Sequence, residues 1–388
     1  MRFPEFHGEW EKCKLGDIAT LTKGSGISKD QRSATGTPCI LYGELYTTYK
    51  SEVIDYVVSK TDISDKNLVR SCANDIIIPS SGETAIDIST ARCVLSPDVL
   101  LGGDLNIIRL KDGDGRFFSY QLNGVRKHDI AKIAQGVSVV HLYGESIKGL
   151  TVSFPSNKEQ QKISTLLSLI DERIATQSKL IEKLESLIKG INQRVFMNSG
   201  INYKIGEICE IKSGYSGSQL LSKKGLKVSR IETISGHKVN MERVGYVAPF
   251  ESSKNYRLRV GDILFSNINS VEYIGNTAFI DKDYDLYHGM NLLRLTPNNM
   301  VVIPFYLYLL LNTNRMLNRF KTVCNKAVSQ ASINQTELGK TVVQIPPINT
   351  QEQICELYQV LYTKLETESH TKSLFQNQKQ YMLRQMFI

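Results

Sequence analysis

Six histidines (7, 128, 141, 237, 288 and 370) and seven cysteines (13, 39, 72, 93, 209, 324 and 355) are the obvious material for metal or nucleophilic chemistry. Their spacing does not support it. There is no CxxC, HExxH or GxSxG, and no histidine stands at ligand spacing from a cysteine or carboxylate. Gly339-Lys340-Thr341 has the tail of a phosphate-binding loop, but Asn334 occupies the place of the required upstream glycine. Gly24-Ser25-Gly26 begins like a dinucleotide loop, with Lys29 where the third glycine belongs. Glu210-Ile211-Lys212 resembles the end of a nuclease motif, yet the nearest Pro-Asp is the distant Pro97-Asp98. No Asn-Pro-Pro-aromatic tetrad is present to seat an amino group for methyl transfer. The cysteines read as scattered reduced core thiols, and Trp10 as a core plug.

What remains is a set of polar and basic side chains on expected loops. The first half offers Lys23, Ser25, Lys29, Arg32, Ser80, Ser81, Thr84, Gln135, Ser138 and His141. The second offers Lys212, Ser213, Tyr215, Lys223, Lys224, Arg230, Ser266, Asn267, Asn269, Lys326, Ser329, Gln330 and Ser332. Lys and Arg neutralise phosphates, while Ser, Asn, Gln and His can hydrogen-bond to base edges in a major groove. These are candidate DNA-binding residues.

The elements that would position them are written twice. Lys14–Gly26 (KLGDIATLTKGSG) matches Lys204–Ser216 (KIGEICEIKSGYS) at an offset of 190 residues. Ala73–Gly82 then matches Val260–Asn269, Leu105–Lys111 matches Met290–Thr296, and Val137–Pro155 matches Val328–Pro346. Loop positions recur (Gly24 with Gly214, Val137-Ser138 with Val328-Ser329) while their chemistry differs. That is what two readers of different sequences on one scaffold require. The globular stretches, roughly 10–155 and 203–346, consist of short apolar runs bounded by turn residues and are expected to be β-rich. A helix is expected over Phe305–Phe320, matching Phe117–Ile133.

After Pro155 and again after Pro346, each copy runs into a long helical pattern. In the first, Ile163, Ile170, Leu184 and Ile191 fall seven apart with Gln177 in the gap, beside the row Leu167, Ile174, Ile181, Ile188 and Val195. In the second, Ile354, Leu361, Phe375 and Met382 accompany Tyr358, Leu365 and Met386. There Glu368, Lys372 and Lys379 spoil the row, and Leu374, Tyr381 and Ile388 offer a third. Two such helices, one closing each repeat, predict an antiparallel coiled coil. Asn198-Ser199-Gly200 reads as helix stop and linker.

The fold class is therefore α+β: two similar mixed α/β globular domains joined by two long helices. The expected divisions are 1–155, 156–198, 199–346 and 347–388. A net charge of +8 suits a polyanion partner. Residues 158–197 hold seven basic against five acidic side chains and 350–388 four of each, so most of the excess lies on the globular parts. The longest apolar run, Val301–Leu311, contains Pro304 and is too short to span a bilayer. The first ten residues lack a signal peptide's apolar core, which gives the expectation of a cytoplasmic protein with no membrane partner.

The opening RFPEFHGEWEKCKLGDIATLTKG, the repeat, and the segments PSNKEQQKISTLLSLIDERI and PPINTQEQICELYQVLYTKL strongly resemble the specificity subunit of type I restriction–modification enzymes. In the second of these, Gln351 keeps the glutamine of Gln160 while Thr350 replaces Glu159. The resemblance implies two target recognition domains, each reading one half of a bipartite double-stranded DNA target. It implies helices that act as spacer and dock two methyltransferase subunits, to which restriction and motor subunits attach. It also implies no catalysis and no cofactor on this chain, with S-adenosylmethionine, ATP and Mg on partner subunits. The residues taken alone leave open a self-sufficient DNA-binding regulator, or a coiled-coil scaffold without methyltransferase partners.

Overall fold

A computed structural model describes residues 2–196, 200–326 and 330–387. The chain divides into two compact units, residues 1–180 with 368–388, and residues 181–367.

Each unit is built on one antiparallel plan. In the first, the sheet order is Ala19–Lys23, Leu105–Leu110, Asp75–Pro79, Arg92–Val94, with Val53–Ile54 added parallel at the edge. In the second it is Cys209–Ser213, Leu292–Pro297, Ile263–Ser266, Thr277–Phe279. A two-stranded ribbon closes each unit: Glu11–Lys14 pairs with Thr151–Phe154, and Ile201–Lys204 with Val342–Ile345. This ribbon delivers the chain to the proline from which a long helix starts. Central strands such as Asp75–Pro79 are buried on both faces and read as continuous apolar runs.

The ladders correct one of the sequence matches. Leu105–Lys111 and Met290–Thr296 align at an offset of 185, but hydrogen bonding sets the equivalence at 187. Asn106 lies opposite Lys23, and Leu293 lies opposite Ser213. Likewise Lys111 donates its N–H to Ile18 O, and Asn298 to Ile208 O (both 2.8 Å). Side chains alternate with period two, so a two-residue slip keeps every residue on its face and leaves the apolar pattern unchanged.

The expected single helix after the last sheet strand is a pair in both units. Gly115–Asn123 precedes Lys127–Ile133, and Pro304–Leu311 precedes Asn314–Val323. In the second pair the break comes where Thr313 turns extended and caps the next helix, its hydroxyl accepting from Met316 N–H.

Both long helices run unbroken for 39 residues, Asn157–Val195 and Ile348–Met386. Their seam residues are buried or half-buried throughout. Within the first unit Asp171 meets Lys379 and Gln177 meets Glu368, so the segments run antiparallel. Within the second, Tyr358 donates to Asn192. Two expectations change here. Glu368 and Lys379 do not spoil the seam but are buried in it with polar partners, whereas Leu374 and Tyr381 are 54% and 58% exposed and form no third row. The helices also do not stand apart from the globular parts as segments 156–198 and 347–388. Ile163, Leu167, Leu383, Met386 and Phe387 join the first unit's core, with Trp10 packed on Phe117 and Phe387. Ile188, Ile354 and Tyr358 join the second's. Asn198, Ser199 and Ile388 lie outside the described residues.

The repeated glutamine does the same work twice. Gln160 accepts the N–H of Asp114 (3.0 Å) and donates to Pro155 O (2.8 Å). Gln351 accepts the N–H of Ile303 (2.8 Å) and donates to Pro346 O (2.8 Å). Each clips the start of a long helix to the proline before it and to the loop entering the helix pair. Glu159 adds a bidentate pair with Arg2 (2.7 Å) that Thr350 cannot reproduce.

Candidate nucleic-acid interface

In the first unit the strand Asp75–Pro79 runs out into Ser81–Gly82, which pairs with Val140–His141. Gln135 and His141 exchange two backbone hydrogen bonds (2.9 and 2.7 Å) and close a tight loop between them. Gly136 has φ +121°, and a Cβ there would lie 2.1 Å from Val139 O, so the loop demands glycine. The closure presents Val137 (96% exposed), Ser138 and Val139 to solvent, with His141 stacked on Tyr143 at 6.3 Å. A hydroxyl, an imidazole and apolar side chains on one loop match the chemistry of base edges and thymine methyls.

The second unit builds the corresponding ribbon after Ile263–Ser266. Ile268–Asn269 pairs with Ala331–Ser332, which pairs with Asn325–Lys326. Asn269 donates to Ser266 Oγ (3.1 Å), and the buried Asn267 Oδ1 has no partner among the described residues. Lys326 and Gln330 are exposed, Ser332 is half-buried, and Ser329 lies outside the described residues. The ladder pairs Ser81 with His141 and Ile268 with Ser332, so one framework carries serine and histidine in one unit and asparagine, lysine and serine in the other.

Several candidates carry structural duties. Ser80, Ser81 and Ser266 are buried beneath their ribbons, Ser80 donating to Asp104 (3.5 Å). Thr84 caps a short helix, accepting from Asp87 N–H and donating to its carboxylate (3.1 and 2.6 Å). Ser25 ties down a neighbouring loop through Asn67 O and Val69 N–H. Tyr215 is stacked on Phe250 at 3.9 Å. Lys23 and Lys29 are exposed, and Arg32 is 3.7 Å from Glu44. Lys212 pairs with Glu210 (2.7 Å) and Arg230 with Glu232 (3.4 Å), while Lys223 and Lys224 lie on an exposed loop with Leu221. Spacing cannot separate such buried or capping hydroxyls from free ones, because both kinds sit at strand ends.

Sequence reasoning missed one feature. A cavity of about 660 Å³ in the second unit is lined by Lys212, Lys254, Arg257, Arg259 and Arg294 with Glu210 and Asp262. Its signal was an arginine inside the apolar strand LLRLTP. Three buried thiols are poor nucleophiles: burial pushes Cys209 up to about 12 and Cys39 and Cys355 up to about 11. Among the described residues no three His, Cys, Asp or Glu gather as a metal site, and no helix is long and apolar enough to cross a membrane.

Duplicated ribbons on a duplicated sheet, each unit completed by segments of two long helices, define a two-domain architecture that presents one ribbon from each unit. The family model for the type I restriction modification DNA specificity domain matches twice, over residues 7–186 and 201–374, and the chain belongs to that family. It is 23% identical over 422 aligned positions to the type I restriction enzyme MjaVIII specificity subunit of Methanocaldococcus jannaschii, covering 98% of this chain and 94% of that protein. A second protein of that organism, provisionally named the MjaX specificity subunit, is 38% identical over 180 residues, 46% of this chain and 42% of its own length. The fold is similar to the crystal structure of the type I restriction–modification S subunit from M. genitalium, with TM-score 0.66, 18% identity, and 100% and 99% of the two chains covered.

Proposed function

We propose that this chain is the DNA-recognition subunit of a type I restriction–modification complex and that each unit reads one half of a bipartite target in the major groove. The observation that carries this reading is the pair of ribbon loops, one framework with two chemistries. The two long helices set the spacing of the half-sites and dock two methyltransferase subunits, to which restriction and motor subunits attach. Methyl transfer and DNA cleavage then belong to those chains, with S-adenosylmethionine, ATP and Mg bound there, and the assembly works in the cytoplasm. On this chain the work is binding: basic side chains hold phosphates in a salt-dependent manner, and the loops read base edges.

The test is methylome sequencing of a host expressing this chain with its methyltransferase partner. The expected result is a motif of two specified half-sites separated by unspecified bases. A single contiguous motif, or no new methylation from a complex that assembles normally, would overturn the reading.

A further inference from the structure

The two units differ at one ladder position in the charge they bury. In the first, Asp75 and Arg109 face each other across neighbouring strands and form a bidentate pair (2.8 and 2.7 Å) with Asp75 buried. Two residues back on the same face, Ile107 is fully buried in the apolar core. The equivalent positions of the second unit are Asp262, Thr296 and Arg294, by the same ladder register. Thr296 donates to Asp262 (2.6 Å), so a hydroxyl-to-carboxylate hydrogen bond stands where the first unit has its Arg–Asp ion pair. Arginine has replaced a core isoleucine.

Arg294 is only 8% exposed. Its Nη1 donates to Arg257 O (3.2 Å), and its Nε is buried with no partner among the described residues. A buried guanidinium costs free energy unless an anion compensates it. Asp262 is already committed to Thr296 and to the N–H of Arg259 (2.9 Å). Glu210, whose carboxyl Lys212 and to a lesser extent Arg294 hold low, is paired with Lys212 at 2.7 Å. Arg294 instead lines the 660 Å³ cavity, where Lys254 and Arg259 bring two more exposed cations. Lys212 and Arg257 also reach it but are partly neutralised by Glu210 and Asp283. At the positions of Glu210, Lys212 and Arg294 the first unit has Thr20, Thr22 and Ile107.

We infer that this cavity is an oxyanion site of the second unit alone and takes a phosphate group, with Arg294 as its buried donor and Lys254 and Arg259 as its rim. The phosphate has two sources, the backbone of duplex DNA or a free phosphate ligand. In the first case the inference rests on the DNA-recognition reading; in the second it stands without it.

The test is calorimetric titration of the full chain with inorganic phosphate at low ionic strength. Arg294→Ile installs the residue that the first unit carries, and Lys254→Ala with Arg259→Ala strips the rim without touching the interior. One phosphate per chain is expected, with affinity falling at least about tenfold in each variant while the unfolding temperature is kept. Should Arg294→Ile fail to fold, the rim variant decides. Wild-type affinity in the rim variant, or in a folded Arg294→Ile, overturns the site. Competition with duplex DNA then assigns the source: displacement of phosphate points to the DNA backbone, and retention to a free ligand. A chain that binds phosphate in this cavity but binds no duplex keeps the site with a free ligand as its source, and the DNA-recognition reading is decided by the methylome of the assembled complex.

Discussion

His288 is buried beside Arg294, its Nε2 2.9 Å from Leu292 O. Burial, with Arg294 as a lesser cause, lowers its pKa to about 4 from the ordinary 6.5. The imidazole is therefore neutral when folded, while the unfolded chain takes up a proton below about pH 6.5. The unfolded state binds more protons in that window, so stability falls as pH drops from about 6.5 to 4. Urea midpoints measured from pH 7 to pH 4 should fall more steeply for the wild type than for His288→Asn; parallel curves would refute this. The glutamine clip makes a second case. Gln351→Ala strands the N–H of Ile303, and equilibrium unfolding should show a loss of about 1–3 kcal/mol. At this scale the sequence was only partly legible. It marked the loops, but burial beneath a ribbon separates Ser81 from Ser138, and no local pattern encodes that.

The long helices show what a heptad pattern conceals. Lys379 sits in the seam with its side chain 9% exposed, donating to Glu52 and Asp171. Asp171 also accepts from Tyr120 (2.8 Å) and Ser51 (3.0 Å). An apolar-row count scores lysine as a defect, yet here it fixes register, because one-residue slippage would strand three buried charges. Lys379→Met should therefore cost about 3–5 kcal/mol by denaturant unfolding, while a combined apolar replacement of Lys379, Glu52 and Asp171 should restore most of it. A small effect from the single change would mean that the network is solvated. The sheet has a parallel lesson. The two-residue offset between Arg109 and Arg294 is invisible to a hydrophobic pattern of period two and becomes plain only from paired N–H and C=O groups.

For the molecule as a whole, the repeat was the most legible property, because four ordered matches survive two divergent sets of loops. Exchanging residues 10–155 for those of a relative should alter one half of the methylated motif and leave the other; a change in both halves would mean the units do not read independently. Inserting four residues after Gln177 and after Ser369 adds about 6 Å of helix and turns the seam by about 40°. Methylome sequencing should return the same half-sites with one or two more bases between them, and full activity at the original spacing would sink the spacer role. What the sequence did not disclose is that the helices are shared between cores, since heptads show an apolar face but not its occupant.

That sharing sets a timetable for synthesis. The first unit's core needs Leu383, Met386 and Phe387, which leave the ribosome only after all of residues 181–367. At about 5–20 residues per second that interval is roughly 10–40 s. Throughout it, Trp10, Phe117 and the apolar face around Ile163 and Leu167 wait for their partners. The half of the protein made first is thus finished last, and in that window chaperones and proteases can inspect it.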